Sequence, residues 1–283
     1  MKKPMYKVWE NKEFFKMSGS GNDFVIIDNL DGTIQDPRLP EHVELLCRRR
    51  TSIGADGLIL IEPSVSADFG WRFFNSDGSE VEMCGNGGRC AARFAYMNGI
   101  AGSTMSFETR AGLIHATVID SRRVKLQMTD PFDIQLDYEL DMKESSIVVS
   151  HVNTGVPHVV AFVDSLDTYP VFETGRAIRC HDRYKPAGTN ADFVHIISKN
   201  EVEVRTYERG VEDETLACGT GCVAAAVIAA GKGLVSPPVS VRTRGGETLL
   251  IHFSTDNDIG GVYLEGDVSF IYKGRIQAEA LLA

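Results

Sequence analysis

The sequence predicts an α+β protein built from two related halves. Three observations support this. Short β-rich runs bounded by Gly, Asp and Asn outnumber helical stretches. Strands and helices do not alternate in the regular rhythm of a doubly wound sheet. Two cysteine motifs recur half a chain apart, 134 residues from one to the other (218 − 84).

Taken in order, the first half predicts strands at 24–27, 58–61, 71–74, 104–108, 114–119 and 124–128. The second half predicts strands at 147–152, 159–163, 193–197, 202–207, 239–242, 249–253 and 262–265. One helix is expected at 40–50, with Glu early and Arg late to suit the helix dipole. Two more helices follow the cysteines, at 88–94 and 222–230.

The repeat has more than one anchor. Glu80-Val81-Glu82-Met83-Cys84-Gly85-Asn86-Gly87 matches Glu214-Thr215-Leu216-Ala217-Cys218-Gly219-Thr220-Gly221. At the same offset, Gly21-Asn22-Asp23-Phe24 aligns with Gly155-Val156-Pro157-His158. Ala55-Asp56 and Ala191-Asp192 sit 136 apart (191 − 55), which reads as a small insertion. Asn75 and Arg209 precede the two cysteines at equal distance. A unit this long is not a solenoid repeat. It points to two structurally related domains, with the boundary near Asp130-Pro131.

Composition narrows the function. A net charge of −10 argues against a nucleic-acid partner, which would require a basic face. A small anionic substrate remains compatible, because a local cationic pocket can exist on an acidic protein. Six cysteines in 283 residues are too sparse for a secreted disulfide scaffold and fit a reducing cytosol. Residues 1–7 are basic but lead into no apolar stretch, so no export signal is expected. The longest apolar run, 222–230, is too short to span a bilayer. The expectation is a soluble, cytoplasmic protein with neither membrane nor nucleic-acid partner.

The chemistry concentrates at Cys84 and Cys218. Cys-Gly-x-Gly opening a helix leaves backbone N–H groups unpaired and lets a ligand approach closely. Such a terminus binds a carboxylate and lowers the pKa of a neighbouring thiol. Two of them can hold one carboxylate and place a sulfur on each face of the adjacent carbon. One sulfur then removes the α-proton as base, and the other delivers a proton from the opposite face as acid. The N–H donors stabilise the enediolate-like charge that develops. That is racemase or epimerase chemistry with no metal and no cofactor. Cys47, Cys90 and Cys180 read as small buried hydrophobes. Cys218 and Cys222 are four apart but lack the further ligands that structural zinc demands. A Cys84–Cys218 disulfide reads as an inactivation route.

At these residues the chain resembles the diaminopimelate epimerases, pyridoxal-independent enzymes of lysine and peptidoglycan precursor synthesis. The likeness runs through Gly21-Asn22-Asp23-Phe24, Gly54-Ala55-Asp56-Gly57, Phe74-Asn75-Ser76-Asp77-Gly78-Ser79 and Cys84-Gly85-Asn86-Gly87. It continues through Gly155-Val156-Pro157-His158, Thr189-Asn190-Ala191-Asp192-Phe193, Glu208-Arg209-Gly210 and Thr215-Leu216-Ala217-Cys218-Gly219-Thr220-Gly221. It implies a reaction interconverting LL- and meso-2,6-diaminopimelate, with Cys84 and Cys218 as the acid/base pair. Gly85, Asn86, Gly219 and Thr220 would hold the carboxylate at the reacting centre. Asn22, Asn75, Asn190, Glu208 and Arg209 would bind the rest of the substrate. Arg209 suits a distal carboxylate and Glu208 an ammonium. His158 either tunes a cysteine's protonation or fills a polar core position. Asp23 and Glu80 read as hydrogen-bond or capping groups.

The resemblance also implies two pseudo-symmetric domains, each a mixed sheet curled around a central helix, with the active site in the cleft between them. The first would comprise residues 1–130 with a tail from about 269 to 283, and the second residues 131–268. A homodimer is implied as well. Two positions depart from common family usage: Val156 where many members have Asn, and Gly57 where some carry a longer polar residue. Other readings are the same chemistry on histidine or another diamino acid, a thiol redox protein, or a non-catalytic amino-acid binder.

Overall fold

The structure is a computed structural model that describes residues 5–142, 146–256 and 258–282. The stretch read as lacking an export signal begins at residues 1–4, outside the described residues. Contacts divide the chain into two compact units: 1–126 with 267–283, and 127–266.

The first unit contains β1 (Glu13–Gly19), β2 (Asn22–Asp28), α1 (Leu39–Cys47), β3 (Gly57–Glu62), β4 (Phe69–Asn75), β5 (Glu80–Val81), α2 (Gly85–Met97), β6 (Thr104–Thr109) and β7 (Gly112–Val118), followed by β8 (Arg123–Gln127). β1 and β2 form a hairpin whose two turn residues, Ser20 and Gly21, both take positive φ (53° and 85°), which matches the right-handed twist of the strands. β2 runs parallel to β3, and β3 antiparallel to β4. β4 then pairs antiparallel with β5 and parallel with β6, which continues antiparallel to β7, and β7 to β8. Val25, Ile26 and Ile27 and the run Leu58 to Ile61 are buried on both faces, the pattern of inner strands.

The second unit contains β9 (Phe132–Asp141), β10 (Ser146–Asn153), β11 (Pro157–Phe162), α3 (Val171–Arg179), β12 (Asn190–Ser198), β13 (Glu201–Glu208), β14 (Asp213–Thr215), α4 (Gly219–Gly231), β15 (Val239–Thr243) and β16 (Thr248–Ser254), with the start of β17 (Gly260–Arg275). Its pairings from β10 to β17 reproduce those from β1 to β8 in kind and order. β9 is an added strand, antiparallel to β10. Residues 268–275 of β17 pair with β1, and Ile276 and Leu281 enter the first unit's core beside Trp9, Phe14, Val43 and Leu46.

Every strand expected from the sequence is present, and the register refines the repeat. Phe24 pairs with Gly57, and His158 with Asn190. Asp56 therefore lies just before β3, whereas Asp192 is the third residue of β12, and the two are not counterparts. Phe74 and Tyr207 occupy equivalent positions, opposite Leu58 and Ala191. The counterpart of Asn75 is thus Glu208, not Arg209; the second turn is one residue longer. Helix α1 stops at Cys47, short of the expected end, because Arg48 is extended (ψ 120°). Helix α3 has Gly175 in its interior, which weakens the helical signal of its sequence. A Cβ there would sit 2.4 Å from the Tyr207 Cβ, so glycine is required for α3 to lie on β13. Among the described residues no helix is long and apolar enough to cross a membrane.

α4 is apolar all round, and residues 221–229 are buried. It packs on strands from β9 to β16. α2 packs on β1, β2, β3 and β7. Each helix begins directly after a cysteine, so the packing of the helix aims that cysteine.

Candidate active site residues

Cys84 is the N-cap of α2, in extended conformation (φ −147°, ψ 118°), and its Sγ accepts the Gly87 N–H at 3.5 Å. Around it, Asn86 donates through Nδ2 to the Asn22 Oδ1 (2.6 Å) and accepts from Arg89 Nη2 (3.1 Å). Asn22 donates in turn to Asp56 (3.2 Å). The Asn86 side chain is buried and engaged in the fold. Asn75 shapes the β4–β5 turn: its Nδ2 donates to Ser79 Oγ (3.3 Å) and its carbonyl accepts the Gly78 N–H (3.0 Å).

The reading of Asp23 and Glu80 as structural groups matches their partners. Asp23 lies between Lys16 (2.8 Å) and Arg49 (2.5 Å); burial works against its charge, but the two cations hold the carboxyl at about 2. Glu80 accepts two bonds from the Arg72 guanidinium (2.9 and 3.1 Å), which lowers its pKa. The second unit repeats this pair as Arg205–Glu214 (2.6 and 2.7 Å).

Cys218 is the N-cap of α4 (φ −111°, ψ 111°). Its Sγ lies 3.4 Å from Thr220 Oγ1, which lies 3.0 Å from His158 Nε2. His158 Nδ1 lies 2.7 Å from Asp192 Oδ2, and both residues are fully buried. Asp192 Oδ1 accepts the Thr206 hydroxyl at 2.7 Å. Asn190 holds the start of the next turn: its Oδ1 accepts the Arg209 N–H at 2.8 Å. The Arg209 guanidinium has only a long contact to the Ala187 carbonyl (3.5 Å) and, among the described residues, no carboxylate partner. Burial pushes the Glu208 carboxyl up, with the Cys218 thiol among the groups that pull it back.

Two expectations are corrected. The helix start was expected to lower both thiols. Instead burial, then the negative charges of Glu208 and Asp192, push Cys218 well above the ordinary thiol range, outweighing Thr220 and the Gly221 N–H. Cys180 was expected in the core and is exposed at the end of α3. Cys47 and Cys90 are buried, and burial pushes Cys47 up to about 12. Among the described residues no group of three or more His, Cys, Asp or Glu could hold a metal ion.

Gly57 has no room for any side chain: a Cβ would meet Phe73 Cε2 and the Phe74 carbonyl at 2.6 Å. The backbone carbonyl of Val156 accepts the Thr154 N–H (3.1 Å), closing the turn around Gly155. Asp192, Thr206 and Arg89 were not singled out from sequence as working residues. Their partners lie on other elements, so no spacing rule could reveal them.

The family profile for diaminopimelate epimerase matches residues 14–132 and 150–271. Across 279 residues the chain is 47% identical to the diaminopimelate epimerase of Aquifex aeolicus, covering 95% of this chain and 99% of that protein. It is 46% identical over 275 residues to the same enzyme from a Hydrogenobaculum strain, covering 93% and 98%. Among solved structures, a probable proline racemase from Agrobacterium radiobacter aligns with TM-score 0.70 over 94% of this chain and 93% of that one. At 16% identity that likeness concerns the fold alone, a mixed α/β fold with few helices. The chain belongs to the diaminopimelate epimerase family.

Proposed function

We propose that this chain is an isomerase of lysine biosynthesis that interconverts LL- and meso-2,6-diaminopimelate, using Cys84 and Cys218 and no cofactor. The observation that carries the mechanism is the repeated placement of a cysteine as the N-cap of a buried helix, in two units of one topology. In each unit the sulfur stands beside the N–H groups of a helix start, where an enediolate charge is stabilised.

In the proposed step one sulfur, as thiolate, takes the α-proton: the C–H bond breaks, an S–H bond forms, and the electron pair delocalises onto the carboxylate. The opposite thiol then gives its proton to the other face of the same carbon. The roles reverse with the substrate's handedness. The raised thiol of Cys218 suits the acid role directly. Gly85, Asn86, Gly219 and Thr220 grip the reacting carboxylate, while Asn22, Asn75, Asn190, Glu208 and Arg209 read the distal amino-acid end. The domains are taken as residues 1–130 with the tail from about 269, and residues 131–268. They form a pseudo-symmetric pair of sheets, each around α2 or α4. A cytoplasmic homodimer completes the proposal.

The test incubates the reduced protein with LL-diaminopimelate in heavy water without pyridoxal. The expected result is deuterium at one α-carbon as the meso isomer accumulates. Cys84→Ala and Cys218→Ala should each abolish turnover. Wild-type rate in either variant would remove the two-thiol mechanism, and exchange with another amino acid alone would redirect the substrate.

A further inference from the structure

We infer that Asp192, His158 and Thr220 form a directed proton relay for Cys218, with Asp192 as the residue that sets its direction. This rests on the acid/base role proposed for Cys218 and adds residues to it.

The geometry is a continuous line of polar atoms inside the second unit. Cys218 Sγ to Thr220 Oγ1 is 3.4 Å, Thr220 Oγ1 to His158 Nε2 is 3.0 Å, and His158 Nδ1 to Asp192 Oδ2 is 2.7 Å. The two ends of the imidazole face one group each whose direction is fixed. At Nδ1 stands a carboxylate, which only accepts when ionised. At Nε2 stand the Asn190 amide, which only donates through Nδ2 (3.4 Å), and the Thr220 hydroxyl, which can donate or accept. The ring hydrogen therefore sits on Nδ1, and Nε2 offers its lone pair. The Thr220 hydroxyl donates to that lone pair, so its own oxygen is left to accept from the Cys218 thiol.

Asp192 is built to stay an acceptor. Its second oxygen takes the Thr206 hydroxyl at 2.7 Å. The start of α4 closes against it so tightly that a Cβ on Gly221 would lie 2.4 Å from Asp192 Oδ1. The positive end of the helix thus faces a buried negative charge.

The line answers a difficulty left by burial. Cys218 serves as acid while it keeps its proton, but in the reverse direction it must serve as base and so must first lose that proton. Through the relay the S–H bond breaks and an O–H bond forms on Thr220, as the original Thr220 hydrogen passes to Nε2. The products are a thiolate and an imidazolium, and the imidazolium lies against the Asp192 carboxylate. The reverse transfer restores the thiol. No outside reactant is consumed. His158 thereby does both things that the sequence left open: it is core, and it is coupled to a cysteine.

The experiment has a substrate-free arm and a kinetic arm. Nitrogen NMR of the ring-labelled enzyme at neutral pH should show His158 as the Nδ1–H tautomer, and Asp192→Asn should convert it to Nε2–H, because an amide can donate to Nδ1. In that variant kcat should fall about 10- to 100-fold, with KM changed less than about threefold. Thr220→Val should lose a similar factor and Thr220→Ser should recover most of it. With Thr220→Val already present, Asp192→Asn should add almost nothing, because the line is already cut. A wild-type Nε2–H tautomer would overturn the relay even if no variant folded. So would losses that multiply in the double variant, or Asp192→Asn retaining wild-type kcat. Absence of proton exchange in the wild type would instead count against the epimerase reading and leave the tautomer result standing.

Discussion

Gly221→Ala should be far more damaging than Gly87→Ala, although the two glycines hold the same place after their cysteines. A Cβ on Gly221 would lie 2.4 Å from Asp192 Oδ1 and 3.0 Å from Thr206 Oγ1. Neither neighbour can withdraw: Asp192 is fully buried and anchored on His158 and Thr206 at 2.7 Å each. Overpacking such a site costs about 1–3 kcal/mol. Losing one hydrogen bond to the buried carboxylate adds about 1.5–3 kcal/mol. Alanine recovers about 1 kcal/mol of helix propensity over glycine. The net loss is about 1.5–5 kcal/mol. On Gly87 the nearest atom is the Ile59 Cδ1 at 3.3 Å, the movable end of a side chain, and the next contacts are at 3.6 Å. There the strain and the propensity gain cancel to within about 1 kcal/mol. Urea unfolding of both variants measures the difference. If Gly221→Ala unfolds at the wild-type midpoint, or both variants shift equally, the close approach of α4 to Asp192 is not a constraint on the fold.

Two further outcomes are expected. Asp23 is held at about 2 against an ordinary 3.8, so its contribution is complete above the ordinary value and disappears as pH falls through the lower one. That difference corresponds to about 2 kcal/mol. Wild-type stability should therefore drop by about that much more than that of Asp23→Asn between about pH 5 and pH 2, and parallel losses in acid unfolding curves would contradict it. On the proposal that Arg209 grips a distal carboxylate with two prongs, Arg209→Lys removes a contact worth about 1.5–3 kcal/mol. KM for diaminopimelate should rise about 10- to 100-fold with kcat little changed, and an unchanged KM would exclude Arg209 as that anchor.

Much of the fold was legible because its strands are short apolar runs punctuated by turn residues, as in Leu58 to Ile61 between Gly57 and Pro63. β9 escaped notice although it alternates apolar and polar residues from Phe132 to Asp141. α3 was hidden by Gly175, whose presence answers to Tyr207 on another element. The cysteines were legible because N-cap chemistry is local: Cys-Gly-x-Gly states both the helix start and its exposed N–H groups.

Residue order alone thus pointed to the family, the two Cys-Gly-x-Gly helix starts and the strand-rich halves, since these depend on neighbours along the chain. Tertiary structure decided the rest. It aligned Asn75 with Glu208, committed the Asn86 side chain to packing, and raised the Cys218 thiol. It also drew Asp192 and Thr206 into line behind His158. Those outcomes depend on which groups meet across strands and how deeply they are removed from water, and no local spacing encodes either.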